Sequence, residues 1–238
     1  MDQAARASDG KPAAPWGKAG HVALFIILTL TIVQCARLGG AGLLVQTAGL
    51  EIDRWTAASR QPSTPEVGRA AKYFSDSLRY AADNPWALEG LGALDLASMR
   101  NSRIPREALA SARDARIRFR QALVQRPTSP FLWANLALSK LYLDEIDDEL
   151  MAALRHADEL GPWEPASQQA TLFVGLAVWQ ELDPGLRETL VHILERGGLR
   201  TAQKMLEIAK SYGRFDLICP IKKYEAMAAA DCEKLRKG

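Results

Sequence analysis

The sequence contains few of the side chains from which active sites are usually built. It has three histidines and three cysteines, and no GxSxG, HExxH, P-loop or GxGxxG motif. His192 and Glu195 are spaced one helical turn apart, as two metal ligands are, but no third ligand is near them in the sequence. We therefore read the histidines as surface residues and expect no catalytic residue, no metal site and no cofactor.

An excess of charge of one sign is also missing. From Glu51 onward 26 basic and 26 acidic residues cancel, so the formal net charge of +2 lies in the first fifty residues. A protein that binds nucleic acid usually presents a basic surface to the phosphates. The sequence therefore gives no support for nucleic-acid binding.

Strand-like alternation of polar and apolar residues is absent as well. Alanine and leucine dominate, while glycine and proline fall where helical segments would end. The sequence therefore predicts an all-α fold. The expected helices cover residues 66–82, 86–99, 105–125, 131–143, 147–160, 165–181, 184–196, 199–212 and 221–235.

One long apolar stretch lies near the N-terminus. From Ala19 to Ala36 there are 18 residues without a formal charge, which as a helix reach ~27 Å, close to a ~30 Å hydrocarbon core. A second uncharged run, 38–50, follows Arg37, whose side chain can snorkel to the headgroups. The predicted organisation is a disordered cytoplasmic tail at 1–19, a transmembrane signal anchor at 20–45, a linker at 46–65 and a helical domain at 66–238.

Three other interpretations fit this stretch less well. A cleavable signal peptide needs small residues after its apolar core, and residues 34–36 read Gln-Cys-Ala. A lipoprotein needs a small residue before Cys35, where Gln34 stands. A buried core helix would be apolar on one face, whereas this stretch is apolar all round. Three Lys or Arg before the span and two shortly after it give a weak bias toward a cytoplasmic N-terminus.

The cysteines bear on the compartment. Cys219 and Cys232 form an isolated pair without a CxxC motif or a nearby histidine, which favours a disulfide over a metal site. Two unrelated thiols in a cytosolic domain are the alternative. A disulfide would place the body outside the cytoplasm. The expected inward stripe of the terminal helix is Ile221, Tyr224, Met227, Ala228 and Leu235.

Two predicted helices in the middle of the chain have the spacing of a degenerate tetratricopeptide (TPR) repeat. Small residues let paired helices approach closely, and an aromatic side chain fills the hollow between neighbouring pairs. We expect Phe119, Trp133 and Leu136 to form the repeat core, although Lys140 stands where an aromatic residue is usual. The positions that carry the spacing are Ala115, Phe119, Ala122 and Pro127 on one helix and Trp133, Leu136 and Ala137 on the next.

A more specific resemblance rests on the turn Leu160-Gly161-Pro162-Trp163-Glu164-Pro165, on Trp179, on the Gly197–Arg200 bend, and on Cys219 with Cys232. With these residues the chain resembles the VpsP-type polysaccharide-biosynthesis proteins. These are small proteins encoded among bacterial exopolysaccharide genes, with one N-terminal membrane segment and a TPR-like body. The resemblance implies a role in making or exporting surface polysaccharide, and it carries no catalytic residues over.

Charges are unevenly placed within the neutral body. Residues 100–126 hold eight arginines against two acids, and residues 144–164 hold eight acids against Arg155. The acids could be glycosidase carboxylates or calcium ligands, but they lack the spaced glycine of an EF-hand loop and suit a helix N-terminus. Arg113, Arg116 and Arg120 share one face of a predicted helix. That face is either solvated, with complementary contacts to a neighbouring helix pair, or a docking site for an acidic segment or an anionic glycan.

The leading hypothesis from the sequence is a non-enzymatic scaffold in the bacterial inner membrane, with a periplasmic TPR-like domain that binds protein partners of a polysaccharide assembly or export complex. A general envelope adaptor, in cytochrome maturation or chaperoning, is the alternative of the same class. An enzyme acting on glycan or peptidoglycan is the alternative of another class, and the missing catalytic motifs argue against it.

Overall fold

The computed structural model of the chain describes residues 17–58 and 62–237. Within these ranges all regular structure is helical, with twelve helices and no strand, which confirms the all-α prediction. The helices are α1 (Gly17–Ala57), α2 (Thr64–Tyr80), α3 (Pro85–Asn101), α4 (Pro105–Gln125), α5 (Pro130–Tyr142), α6 (Asp148–Leu160), α7 (Pro165–Ala177), α8 (Pro184–Arg196), α9 (Leu199–Ser211), α10 (Phe215–Ile218), α11 (Lys222–Met227) and α12 (Ala229–Lys237).

The first helix is longer than the sequence predicted. The expected disordered tail lies outside the described residues except for 17–19, which open α1. The linker expected at 46–65 is helical as far as Ala57. Ala41, Ala48 and Trp55 are spaced seven residues apart, so that they share one stripe of α1, and all three are buried. The second uncharged run is therefore part of the folded body, because its small residues admit a close neighbouring helix.

The boundary between the apolar segment and the body falls at Arg37. The Arg37 guanidinium donates to the carbonyl of Tyr80 at 3.1 Å, and the Ser77 hydroxyl donates to the carbonyl of Ala41 at 2.9 Å. Side chains 21–36 are all exposed, and α1 is long and apolar enough to cross a membrane. The anchor predicted over 20–45 thus stands clear of the body only up to residue 36.

The body is built from helix pairs that pack on one another in chain order. The hairpin partners are α1 with α2, α3 with α4, α5 with α6, and α7 with α8. The first members of successive pairs also contact each other, α3 with α5, α5 with α7, and α7 with α9. This order of contacts is typical of an α-solenoid, in which each unit packs on the next.

Local sequence signals explain why the helix bounds are close to the predicted ones. Six helices carry proline in their first turn, where its missing N–H is not needed. The side chains of Asn84, Asp147 and Asp183 cap α3, α6 and α8 by accepting hydrogen bonds from N–H groups of the first turn. The N-cap of α2 is Ser63, and its N–H donates to the Glu66 carboxylate at 2.8 Å.

The interior around the repeat-like positions is tightly packed. Phe119 is fully buried and Leu136 is 1% exposed. The Phe119 ring lies over Gly92, where a Cβ atom would approach the ring to 2.7 Å, so that only glycine allows this approach. Trp133 is only partly buried: its indole N–H donates to the carbonyl of Pro127 at 2.7 Å, and its ring is 4.7 Å from that of His156.

The C-terminal segment forms two short helices rather than the single one expected at 221–235. The break at Ala228 turns the chain, which leaves Met227 and Leu235 exposed instead of on an inward stripe. Tyr224 is buried, and its hydroxyl donates to the carbonyl of Leu194 at 3.1 Å. The turn also carries the chain back, so that Cys219 and Cys232 are joined in a disulfide with their Cα atoms 5.5 Å apart.

Replacing Phe119 by alanine tests this packing. Phe119→Ala removes a fully buried ring beside Gly92, and we expect it to lower the free energy of unfolding by about 3–5 kcal/mol. Val124→Ala on the same helix is the control, because Val124 is 78% exposed and its truncation should change stability by no more than about 0.5 kcal/mol. Denaturant unfolding of both variants gives the comparison, and equal midpoints would contradict the assigned packing.

Candidate functional site

A groove runs along the face formed by the first helices of successive pairs. Residues of α3, α5, α7 and α9 line it, and its volume is about 610 Å³, within the range of small-ligand and segment-binding clefts. Its lining is mainly apolar and aromatic toward the middle and charged at the margins. The residues that define it are Arg100, Leu138, Tyr142, Ala166, Phe173, Lys204, Glu207 and Ile208.

Aromatic packing shapes the floor of this groove. The Phe173 ring meets the edge of Tyr212 at a centroid distance of 5.6 Å and an interplanar angle of 62°. Burial, together with the neighbouring Tyr142, raises the pKa of Tyr212 above its usual value, so its phenol is neutral at physiological pH. At the margin the Lys204 ammonium bonds the Glu207 carboxylate at 3.1 Å. These groups suit binding of an apolar segment with a few polar contacts.

A second cluster lies at the turn between α5 and α6. The side chain of Lys140, the residue that departs from the repeat pattern, is 1% exposed. Its ammonium donates to Glu149 at 2.6 Å, to Asp147 at 2.8 Å and to Glu145 at 3.4 Å. The turn also holds Asp144 in a left-handed conformation with a φ of 58°. Lys140 thus occupies the position of an aromatic side chain in the repeat pattern. Its ion pairs with the three acids hold the long connection between α5 and α6 in place.

Two of the three stripe arginines join the same cluster. Arg116 donates to the Glu145 carboxylate. Arg120 donates to the Glu149 carboxylate from two nitrogens, and its Nε lies 2.8 Å from Oε1. These contacts are the complementary ones between adjacent helix pairs. Within the described residues Arg113 has no ion pair and is exposed, so only this member of the stripe is open to a partner. Charge reversal at Arg116 or Arg120 would set like charges side by side and disturb the packing.

The ionic contacts shift the proton affinities of the cluster. Burial lowers the pKa of Lys140, but hydrogen bonds to Asp147 and Glu149 outweigh it and raise the pKa above its usual value. The bond from Arg120 holds the pKa of Glu149 below its usual value. Burial raises the pKa of Glu145, but the contacts with Arg116 and Lys140 together outweigh burial and hold this pKa below its usual value. The ammonium and the carboxylates are therefore all charged at neutral pH.

The described part of the chain contains no group of three or more His, Cys, Asp or Glu side chains placed to hold a metal ion. His192 is exposed on α8, and the acids at 145–149 are engaged by Lys140, Arg116 and Arg120. The acidic cluster is thus a structural ionic site in this fold.

No family model, curated protein or solved structure matches this chain.

Sequence reasoning identified the arginine stripe and the acidic turn but missed the groove. Its residues come from four helices that are about 35 residues apart in the chain, and no single helix contributes more than four of them. Tyr142 and Phe173 occupy helix positions that read equally well as core. The order of the helices did carry a signal for the groove, because the first helices of successive pairs in a solenoid line one common face.

Replacing Lys140 tests the ionic cluster. Lys140→Met leaves three carboxylates facing two arginines. We expect the free energy of unfolding at pH 7 to fall by about 1–3 kcal/mol. This is less than for a fully buried ion pair, because the acids are partly open to water. The control is Lys72→Met, since Lys72 is 72% exposed in an i,i+4 pair and should cost no more than about 0.5 kcal/mol.

The pH dependence of this loss follows from the pKa shifts. Carboxylates with lowered pKa values stabilise the fold above their ordinary values of 3.8 and 4.5, and that contribution disappears as pH falls through the lowered values. Lys140 has a raised pKa, so its ammonium keeps its full contribution to stability up to the ordinary pKa of 10.5. The stability difference between wild type and Lys140→Met should therefore shrink on acidification. A difference that stays constant down to acid unfolding would contradict the charge assignment.

Proposed function

We propose that this protein is a non-enzymatic, membrane-anchored scaffold that serves the biosynthesis or export of a bacterial exopolysaccharide. The observation that carries the scaffold part is the continuity of α1. Its exposed apolar segment, 21–36, passes without a break into a buried seam at Ala41, Ala48 and Trp55. A body fastened in this way is held at the membrane in one orientation, as a platform for partners must be.

The groove supplies the binding surface for this role. Its four helices offer an apolar floor with Tyr142, Phe173 and Ile208, and a charged margin with Lys204 and Glu207. Apolar anchors inside a polar rim are the usual anatomy of a site that binds a protein segment. The proposed partners are proteins of an envelope assembly or export complex, held by one segment each in a TPR-like manner.

The polysaccharide setting rests on the sequence. The Leu160–Pro165 turn, Trp179, the Gly197–Arg200 bend and the cysteine pair resemble the VpsP-type proteins encoded among exopolysaccharide genes. In the fold the first and third of these elements are neighbours, since the Arg196 side chain donates to the carbonyl of Pro162 at 2.9 Å. They are structural turns, so the resemblance supports a shared architecture and cellular context, with no catalytic role attached.

The proposed location is the inner membrane, with the N-terminus in the cytoplasm and the body in the periplasm. The weak excess of Lys and Arg before the span favours this orientation. The disulfide between Cys219 and Cys232 supports it, because such bonds persist in the oxidising periplasm and are rare in the cytosol.

Filling the groove tests the function. Ala166→Arg places a long charged side chain at an exposed position of the lining, and we expect it to reduce secreted polysaccharide in a complementation assay while leaving the melting temperature unchanged. Ala177→Arg on the same helix is the matched control, because Ala177 is also exposed but lies outside the lining. Full complementation by a folded Ala166→Arg protein would argue against the groove as the partner site.

Reporter fusions test the orientation. Alkaline phosphatase is active only after export, so a fusion after Gly238 should be active and a fusion before Met1 should be inactive. The reverse pattern would place the body in the cytoplasm and would remove the support that the disulfide gives to the location.

A further inference from the structure

Four interhelical turns lie along one edge of the body, and this edge is the one from which the apolar segment of α1 emerges. Arg37 bonds the carbonyl of Tyr80 at the end of α2. Leu38 and Gly42 of α1 border a small cleft together with the α2–α3 turn and Gln125 at the end of α4. The Gln125 amide donates to Asp83 at 3.3 Å, which joins the α2–α3 turn to the end of α4. The edge therefore begins at the point where α1 leaves the body.

The same edge continues through the later turns. Beyond the Arg126 side chain, which lies 3.5 Å over the Trp86 ring, the α4–α5 turn meets the α6–α7 turn, where Gly161 packs against Pro130. From there the Arg196 side chain reaches the carbonyl of Pro162, and a cleft of about 480 Å³ separates Trp163 from Leu199. The turns α2–α3, α4–α5, α6–α7 and α8–α9 thus form one continuous surface, which we name the anchor edge.

The anchor edge carries large apolar side chains that the body does not cover. Among the described residues on it, Leu199 is 81% exposed, Val124 78%, Trp163 72% and Trp86 56%. The opposite edge is formed by the turns α3–α4, α5–α6 and α7–α8. It exposes fewer large apolar side chains than the anchor edge does. In its described part the large exposed apolar residues are Ile104 and Ile146, and the acids of the Lys140 cluster lie there.

We propose that the anchor edge rests in the headgroup region of the bilayer that α1 crosses, with Trp86, Trp163 and Leu199 inserted among the lipids. Because α1 is one continuous helix, the point where it leaves the body fixes the distance from the turns to the membrane. Tryptophan is enriched at membrane–water interfaces, where its ring is apolar and its N–H is hydrated. Leucine beside it adds apolar area, as in interfacial helices.

The arginines that join these turns, Arg126 and Arg196, are not free to bind an acidic partner protein, which favours a lipid surface. Arg126 is bound to Glu89 at 2.5 Å, and Arg196 is bound to Asp158. Their charges are already balanced within the chain, so contact with the bilayer is driven by the apolar side chains. This inference rests on the membrane span of the proposed function. It adds that the body lies along the membrane, so that the groove on the flanks of α3, α5, α7 and α9 opens sideways.

Site-specific labels on the full chain test the proposal. Single cysteines are introduced as Trp163→Cys or Leu199→Cys in a Cys35→Ser background, labelled with a fluorophore, and reconstituted into phosphatidylcholine vesicles. Some of the lipids carry a nitroxide quencher near the headgroup end of the acyl chain. Ile104→Cys and Ile146→Cys on the opposite edge are the matched controls, and Leu28→Cys reports on the span itself. All five native positions are exposed, and melting curves verify that each variant folds.

We expect lipid quenching to be several-fold stronger at positions 163 and 199 than at 104 and 146, and strong at position 28. Strong quenching at 28 with equal, weak quenching at both edges would overturn the proposal and leave the span intact. Weak quenching at 28 would overturn the span and this proposal together. Labels at 163 and 199 that are shielded in native membranes but not in vesicles of pure protein would assign the edge to a protein partner and overturn the lipid contact.

Discussion

The structure depends on one helix that meets two requirements at once. The part of α1 before Arg37 is apolar on every face, whereas the part after it must be apolar on only one. Ala41, Ala48 and Trp55 meet the second requirement, because two small residues admit α2 closely and the indole closes the seam at its far end. No break separates the two parts, so the position of the helix pairs that follow is set by the direction of α1.

A second constraint acts in the middle of the body, where packing alone does not fix the turn. The connection between α5 and α6 is too long for a tight hairpin, and Asp144 adopts a left-handed conformation within it. Lys140 compensates through bonds to Asp147 and Glu149, and Arg116 and Arg120 satisfy the remaining carboxylate oxygens. A buried ammonium without all of these partners would destabilise the fold, so Arg116 and Arg120 have a structural role.

The sequence predicts most of the helices because the residues that begin and end each helix can be recognised in the neighbouring sequence. Prolines and capping side chains such as Asn84 and Asp183 mark helix starts wherever they occur. The sequence does not show which residues far apart in the chain become neighbours in the fold. Ala41 looks like a lipid-facing residue and Ala48 like part of a linker until α2 is placed beside them, and Met227 and Leu235 look inward-facing until the turn at Ala228 separates them. The groove is the strongest case, because its floor exists only after four helices are stacked.

The distribution of exposed side chains then links the anchor to the binding surface. Large exposed apolar side chains are costly to leave in water, yet Trp86 and Trp163 both lie on the anchor edge. The opposite edge holds the charged cluster instead, as a surface facing solvent should. A body with one apolar and one charged edge has a preferred orientation at a bilayer even before a partner binds. Under the proposed contact of the anchor edge with the bilayer, the flank of α3, α5, α7 and α9 is the face that stays accessible from the side.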